Sequence, residues 1–525
     1  MTFILLVVLG VGQPAVAAPV TAPVAVRVDA AAGRRPISPY LYGRNMNLSG
    51  EKEFMWKQEG ALALEAGLRI SRESDGNNGT KYNWRNDLSS HPDWYNNVYP
   101  QHREIRARAI QDRFPGVAGL FGLPVLGWVA KTDQFNANEN KLDPGHKDPH
   151  LNLCGGGVAT LYLEPTTPRE TVDGLDHWFK PGGLGLDPAR FPFWHLDNEP
   201  ECWRGTHHDI SGTLMTGEEA VQKYVAVARE VRTRYPALKL MAPGFASEWF
   251  WWNWSDHNCV GGMPWMQYFI KRMAEESKAY GKPLLDLVDI HTYIDDNGPD
   301  EAVLMQHRTW YDPTYTSPSA NGCKRFPDCG WHDDQKVEMV LARIEGWLDQ
   351  SFGPGHGIGI ATTESGAHSD HAMVRALWYA SHLGTFADHG VQVFTPWFWS
   401  DELWEVLHLF SRYAGPVRVA AECAGEPMVS GYASVTEAGD RMTLILVNRE
   451  ADPAGRVADV SVEHFAARDG KATTLTLAGL PEKPRTFASH ARNALVHGTT
   501  AVRDGHARVA LPPRSITALL LTASR

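Results

Sequence analysis

FPFWHLDNEPECW, residues 191–203, is a short apolar run that stops abruptly at Asp197-Asn198-Glu199-Pro200, between Trp194 and Trp203. The run reads as a buried strand. A buried strand that presents an amide and a carboxylate side by side at its C-terminal tip has the geometry of a barrel active site. The same tetrapeptide also reads as a plain polar turn, because Asn and Pro are ordinary turn formers. The rest of the chain decides between the two.

Outward from this stretch, apolar strand-like runs alternate with amphipathic helical ones. The strand candidates are 37–45, 68–74, 123–130, 191–198, 238–246, 287–293, 358–364 and 391–399. Helical candidates lie near 51–66, 102–112, 217–235, 265–280, 332–350 and 370–387, the third opened by a Thr216/Glu219 capping box. Eight such alternations predict an α/β fold, a (β/α)8 TIM barrel over 36–415. An open doubly wound sheet would carry a Gly-rich phosphate turn after its first strand, and YGRNMN (42–47) is not one. Segment 131–190, rich in Gly, Pro and Asp, reads as a long loop over the barrel mouth. From 416 to 525 short alternating segments such as MTLILVN and ARVALP predict an antiparallel β-sandwich. The piece 19–35, with AVRVDAAAGR, is expected to add a strand to it.

With 525 residues, 43% hydrophobic and 21% charged, the chain is a globular protein with room for a large domain and a smaller one. A net charge of -11 argues against nucleic acid or an anionic membrane surface as a partner. Residues 1–18 read as a secretory signal, too short to span a bilayer and ending near Ala15-Val16-Ala17. The expected localisation is therefore extracellular, with no membrane association after cleavage. Six cysteines in an exported chain permit disulfides. Cys323–Cys329 is the expected bridge. Cys202 and Cys259 either form a second or remain free thiols.

The notable polar groups fall at strand ends. Glu199 follows the fourth strand, His291 and Tyr293 end the sixth, Glu364 ends the seventh, and Trp397 and Trp399 end the eighth. In a barrel these ends share one face, with strands four and seven on opposite sides of it. Paired carboxylates across a groove are what glycoside hydrolysis requires: one gives a proton to the leaving oxygen, the other attacks or activates water. Each glutamate alone also reads as a surface charge or a helix-start residue. Together, at facing strand tips among aromatics, they favour the paired reading.

These residues resemble glycoside hydrolase family 44, secreted endo-acting β-glucanases of a retaining barrel clan. The matching stretches are RRPISPYLYGRN (34–45), GNNGTKYNWRND (76–87), LGWVAK (126–131), HLDNEPECW (195–203), THHDI (206–210), DIHTY (289–293) and TTESGAHSD (362–370). The resemblance implies that Glu199 is the general acid/base and Glu364 the nucleophile. It implies that Asn198 binds the sugar 2-hydroxyl and that Arg72 holds the nucleophile ionised. Glu73-Ser74-Asp75 before Gly76-Asn77, and Ser365-Gly366-Ala367 after Glu364, depart from the family pattern near the nucleophile. No cofactor is required, and a structural calcium is compatible with the resemblance.

The nineteen tryptophans exceed what a core needs, and rings in clefts stack on sugars. The loop 247–258 holds four of them, and they are expected to divide between the groove and a hydrophobic plug. Expected substrate contacts are Asn198, Arg72, Asn77, Trp128, His291, Tyr293, Trp203, Trp252, Trp397 and Trp399. His291 reads as orienting a hydroxyl or a carboxylate, or as a satisfied histidine beside them. His207-His208-Asp209 lacks a third ligand and reads as hydrogen bonding rather than metal binding. Asp295, Asp296, Asp300 and Glu301 form an acidic loop without EF-hand spacing. The expected partner is a polysaccharide such as a cellulose-like β-1,4-glucan or xyloglucan; the alternatives are a mannan, a xylan, or a catalytically silent carbohydrate-binding barrel. A metal-dependent hydrolase would be insensitive to Glu364→Gln. Nothing in the sequence indicates an oligomeric state.

Overall fold

The computed structural model describes residues 22–524 except 46–52, 74–75, 92–96, 133–158, 212–214, 255–258, 321, 323, 325–327 and 481–494. The proposed signal segment therefore lies outside the described residues. Eight parallel strands follow one another in chain order around a sheet: β1 Gly43–Asn45, β2 Ile70–Arg72, β3 Ala118–Leu123, β4 Phe193–Leu196, β5 Lys239–Phe245, β6 Leu287–Thr292, β7 Gly359–Ser365 and β8 Val393–Phe394. Among the described residues no ladder joins β8 to β1. Asn45 bridges the seam instead: its Nδ2 donates to Thr363 O (2.8 Å) and Thr395 O (2.6 Å), and its N–H donates to Pro396 O (3.2 Å). Strands β4, β6 and β7 are buried on both faces, as parallel strands under a helical layer must be.

Three parts of the barrel differ from the sequence expectation. The third strand is AGLFGL, 118–123, rather than 123–130. Pro124 has no N–H to continue the ladder, and Trp128–Ala130 pairs antiparallel with Leu163–Pro165 in a separate two-stranded sheet. The segment 131–190 is not simply a loop. Pro168–Phe179 is a helix opened by a Thr167/Glu170 capping box with Pro at its first position, and it packs on the helix Gly217–Arg234 as part of the outer layer. The eighth strand is also shorter than expected, because Pro396 interrupts the run before Trp397.

The C-terminal region is one ten-stranded sheet, antiparallel at every ladder but one. Strand Val24–Asp29 lies parallel to Arg456–Glu463 and antiparallel to Val417–Cys423, so the N-terminal strand closes the sheet on itself. One face encloses Val26, Val419, Leu444, Val460 and Leu519. Ile445, Val447 and Ile516 point the other way and join the barrel core. The buried Arg449 donates across this contact to Ser381 Oγ at 2.8 Å.

Cys329 pairs with Cys259, not with Cys323; Cys323 itself lies outside the described residues. Cys202 is a free thiol, the second of the two readings open for it, and the expected Cys323–Cys329 bridge does not form. The two loops that meet are distant in sequence, 70 residues apart, which local spacing could not reveal. Closing a loop of that length constrains the unfolded chain by about 4 kcal/mol. Cys329→Ser is expected to lower stability by up to about that amount, read by chemical denaturation of the oxidised protein, and reductant should produce the same loss in the wild type.

Candidate active site

The C-terminal ends of β2, β4, β6 and β7 carry a connected polar cluster. His291 on β6 sits directly opposite Glu364 on β7 in the strand register. Glu364 is buried and ligated from two sides: Arg72 Nη1 donates to Oε1 at 2.6 Å and Tyr293 Oη donates to Oε2 at 2.9 Å. Burial opposes its charge, yet His291 and Arg72 outweigh that, so its carboxyl lies below the ordinary glutamate value of 4.5. Arg72 is itself aimed by Asn198 Oδ1 (2.8 Å) and Asn45 Oδ1 (3.3 Å).

Glu199 is held differently. Its Oε1 lies 2.9 Å from His291 Nδ1, and its Oε2 accepts from Asn77 Nδ2 at 3.1 Å. Ligand atoms of Glu199, His291 and Glu364 all lie within 4.8 Å of one another. One carboxylate is thus bound by a guanidinium and a phenol, the other by an imidazole and an amide. The backbone before Glu199 is forced to turn sharply: Asp197 (φ 57) and Glu199 (φ 42) both adopt left-handed conformations, at about 1–2 kcal/mol each for a non-glycine residue. Asp197 compensates by accepting from Thr80 Oγ1 (2.6 Å), Val125 N (2.6 Å) and Asn198 N (2.9 Å). The next acidic residue, Glu201, lies beneath the turn and accepts from Trp265 Nε1 and from Ala246 N.

Two glycines allow the close packing. A Cβ on Gly244 (φ +68) would meet His195 at 2.8 Å and His291 Nε2 at 3.1 Å. A Cβ on Gly76 (φ +57) would lie 3.3 Å from Glu364 Oε1 and 3.5 Å from the Trp397 ring, so Trp397 stands beside Glu364.

Of the sequence-derived contacts, Arg72, Asn77, Asn198, His291 and Tyr293 converge on the two glutamates, and Trp397 is a 38% exposed ring next to them. Trp203 and Trp252 do not line a groove. Trp203 is 1% exposed, stacks on Tyr224 and donates to Asn198 O at 2.8 Å, bracing the turn from below. Trp252 is fully buried against Trp251 and Trp347. Trp251 and Trp254 are likewise core residues, whereas Trp249 packs on the exposed Trp331, a surface ring the sequence did not single out. Trp128 is half-buried against the cluster of Leu88, Val98 and Tyr162. Trp399 packs on Tyr379 and Trp404, and with Phe398 and His368 lines a cavity of about 610 Å³ outside β7 and β8. Sequence reasoning gave no role to Asn45, Asp289, His195 and Thr363, although each lies within one of the matching stretches 34–45, 289–293, 195–203 and 362–370.

Neither candidate cation loop gathers donors for one ion among the described residues. Asp209 accepts from Lys81 Nζ (2.5 Å) and Tyr162 Oη (2.7 Å). Asp295 accepts from Ser317 Oγ (2.5 Å), Asp296 faces His368 (3.3 Å), and Asp300 accepts from Ser369 Oγ (2.7 Å).

Glu201 provides a pH test of this packing. Burial, reinforced by the Glu199 charge and opposed by the Trp265 and Ala246 hydrogen bonds, pushes its carboxyl up to about 8. A raised acid is protonated in the folded protein while the unfolded one ionises near 4.5. Its contribution is thus fully present below the unfolded value and is lost as pH rises toward 8. The loss is about 1.4 kcal/mol per pH unit within that window. Glu201→Gln is expected to remove this term, so the stability gap between variant and wild type should shift in the variant's favour from pH 5 to pH 8 in denaturation curves. A gap independent of pH would refute it.

Facing carboxylates at the tips of β4 and β7 of a parallel barrel are the arrangement that glycoside hydrolysis requires. The family model of Glycoside hydrolase family 44 matches residues 88–296, which bears out the resemblance carried by the motifs. The chain is 24% identical over 482 residues to beta-mannanase/endoglucanase A of Caldicellulosiruptor saccharolyticus, covering 82% of this chain but 34% of that protein. It thus spans about a third of that relative's length. Among solved structures, a bifunctional glucanase-xylanase from a metagenome library aligns with a TM-score of 0.78 at 19% identity, over 96% of this chain and 99% of the other. A Paenibacillus polymyxa xyloglucanase of family 44, solved with xyloglucan, aligns with a TM-score of 0.72 at 19% identity, over 95% and 100%. Both share the fold along nearly the whole chain. Among the described residues no helix is long and apolar enough to cross a membrane.

Proposed function

We propose that this chain is a secreted endo-β-1,4-glucanase that cleaves cellulose-like glucans or xyloglucan by a retaining double displacement. The observation that carries the reading is the asymmetric pair: two glutamates with oxygens within 4.8 Å, one gripped by Arg72 and Tyr293, the other by His291 and Asn77. A separation of about 5–5.5 Å suits retention, while inversion needs about 6.5–9.5 Å to admit a water.

In the first half-reaction a carboxylate oxygen of Glu364 bonds to the anomeric carbon as the glycosidic C–O bond breaks. Glu199 supplies the proton to the departing oxygen. In the second, water loses a proton to Glu199 and displaces Glu364, restoring both groups. Arg72 and Tyr293 keep Glu364 ionised and immobile before attack. Asn198 accepts from Arg72 through Oδ1, which leaves its Nδ2 as a donor for a sugar hydroxyl. Trp397 offers an exposed ring for stacking. No cofactor enters these steps.

The names of the relatives bear on the glycan: one is a mannanase/endoglucanase, one a glucanase-xylanase, one a xyloglucanase. The deciding experiment is a panel of cellulosic glucan, xyloglucan, mannan and xylan, with proton NMR of the first product formed. Rapid mid-chain cleavage of a β-1,4-glucan with the β anomer appearing first is expected. The α anomer first would refute retention, and preference for mannan or xylan would replace the glucan assignment.

A further inference from the structure

Beneath the two glutamates lies a second, fully buried polar layer that the reaction above does not use. Asp289 of β6 has no exposed surface. His195 Nε2 lies 2.8 Å from its Oδ2, and Thr363 donates to it through both N–H (3.0 Å) and Oγ1 (2.5 Å). Thr363 Oγ1 is also 3.1 Å from His291 Nε2. A hydroxyl has one proton, and here it is committed to Asp289. Toward His291 the Thr363 oxygen can only accept, so His291 Nε2 must carry a proton. Asp289 Oδ2, 3.7 Å from the same nitrogen, favours that too.

We propose that Asp289 is a positioning residue that acts through His291: with Thr363 it keeps His291 doubly protonated, so that Nδ1–H always donates to Glu199 Oε1 and the transferable proton is confined to Oε2. The inference rests on the hydrolytic reading above. Its logic is one of charge across the cycle. Before attack, His291 faces two anions, Glu364 and Asp289. After attack Glu364 is a neutral ester, but Glu199 has become a carboxylate, so His291 again faces two anions. Asp289 is the one constant member. Without it, His291 faces a single anion at every stage, and loses its Nδ1 proton as pH rises. A bare Nδ1 lone pair 2.9 Å from Glu199 would either capture the catalytic proton or repel the carboxylate the second step requires.

The surroundings agree from every side. His195 on β4, its ring 6.4 Å from that of His291, has its value lowered by burial against the opposing pull of Asp289, which disfavours a competing charge beside His291. Glu199 follows β4, Glu364 is on β7 with Nδ1–Oε2 at 3.7 Å, and Arg72 of β2 stands beyond Glu364. Burial alone would lower the His291 value, but Glu364 and Asp289, joined by Glu199 once it is ionised, outweigh it and raise it above 6.5. Gly244 packs against both histidine rings, holding them in register with Asp289.

The test compares Asp289→Asn with wild type over pH 5 to 9 on the best β-1,4-glycan of the panel. The expected result is an alkaline limb of kcat/KM moved down by about one pH unit or more, a small effect near pH 5, and little change in KM. Thr363→Val is expected to shift the limb in the same direction. Nitrogen-15 NMR of the wild type, with the His291 signal identified by its absence in His291→Gln, should show both ring nitrogens protonated at pH 7. An equal loss at every pH in both variants, or a neutral His291 ring at pH 7, overturns the inference while leaving the hydrolytic reading intact. A wild type that cleaves no β-1,4-glycan defeats that reading and the catalytic role together, whereas the NMR result still decides the protonation of His291.

Discussion

Glu364→Gln is expected to abolish turnover, with kcat on polysaccharide down by about 10⁴-fold or more. The amide has the shape of the carboxylate and can still accept from Arg72, which approaches to 2.6 Å, so the fold should survive. What it lacks is a charged oxygen able to form the glycosyl ester. Tightness of substrate binding should change little, because the groove and the Glu199 side remain. Calorimetric titration with a cello-oligosaccharide, set beside steady-state kinetics, separates the two effects. Residual kcat within tenfold of wild type would remove Glu364 from the nucleophile's role. As the proposed nucleophile, the same residue should set the acid side of the pH profile. Its carboxyl is depressed below 4.5 because His291 and Arg72 outweigh burial. A depressed acid stays ionised as pH falls past the ordinary value, so activity should persist below pH 4.5 and decline only as pH falls through the folded-state value. Its contribution to stability follows the same course, being present above the unfolded value and lost below the folded one.

How much of this was legible depended on whether the deciding interaction was local. Strands β4, β6 and β7 are apolar runs that end in chemistry-bearing residues, and both glutamates could be placed at their tips from spacing alone. The third strand could not, because AGLFGL (118–123) and LPVLGWVA (123–130) are both uninterrupted apolar runs and a strand buried on two faces has no alternation to mark it. The helix Pro168–Phe179 was signalled by Thr167-Pro168 and Glu170, but the Gly- and Pro-rich sequence around it obscured the capping box. Tryptophan burial is decided by tertiary packing: Trp203 and Trp397 look equally suited to a groove in sequence, yet one braces a turn and the other stands exposed beside Glu364. The Cys259–Cys329 pair and the contact of His195 with Asp289 join residues far apart in the chain. No motif encodes them, since each arises where the loops or strands of the barrel meet.

Glu199→Gln should behave differently from Glu364→Gln, and the difference is the sharper test of the assigned roles. Glutamine cannot protonate a departing sugar oxygen, so polysaccharide hydrolysis should fall by about 10²–10⁴-fold. An aryl β-glycoside with an acidic phenol needs no such proton, and its first step should survive. The second step still needs a base to activate water, so the glycosyl-enzyme should accumulate and a burst of phenol should precede a slow steady state. Azide, an anionic nucleophile that needs no base, should relieve the block and give a β-glycosyl azide. The same substrate and azide should do nothing for Glu364→Gln, which cannot form the intermediate. His291 contributes to the contrast. In the wild type its Nδ1 lies 2.9 Å from Glu199 Oε1, and a glutamine placed with its carbonyl oxygen there keeps that contact while losing the transferable proton. The variant thus isolates proton transfer from positioning. If azide rescues neither variant, or rescues Glu364→Gln instead, the acid/base and nucleophile assignments must be exchanged or abandoned.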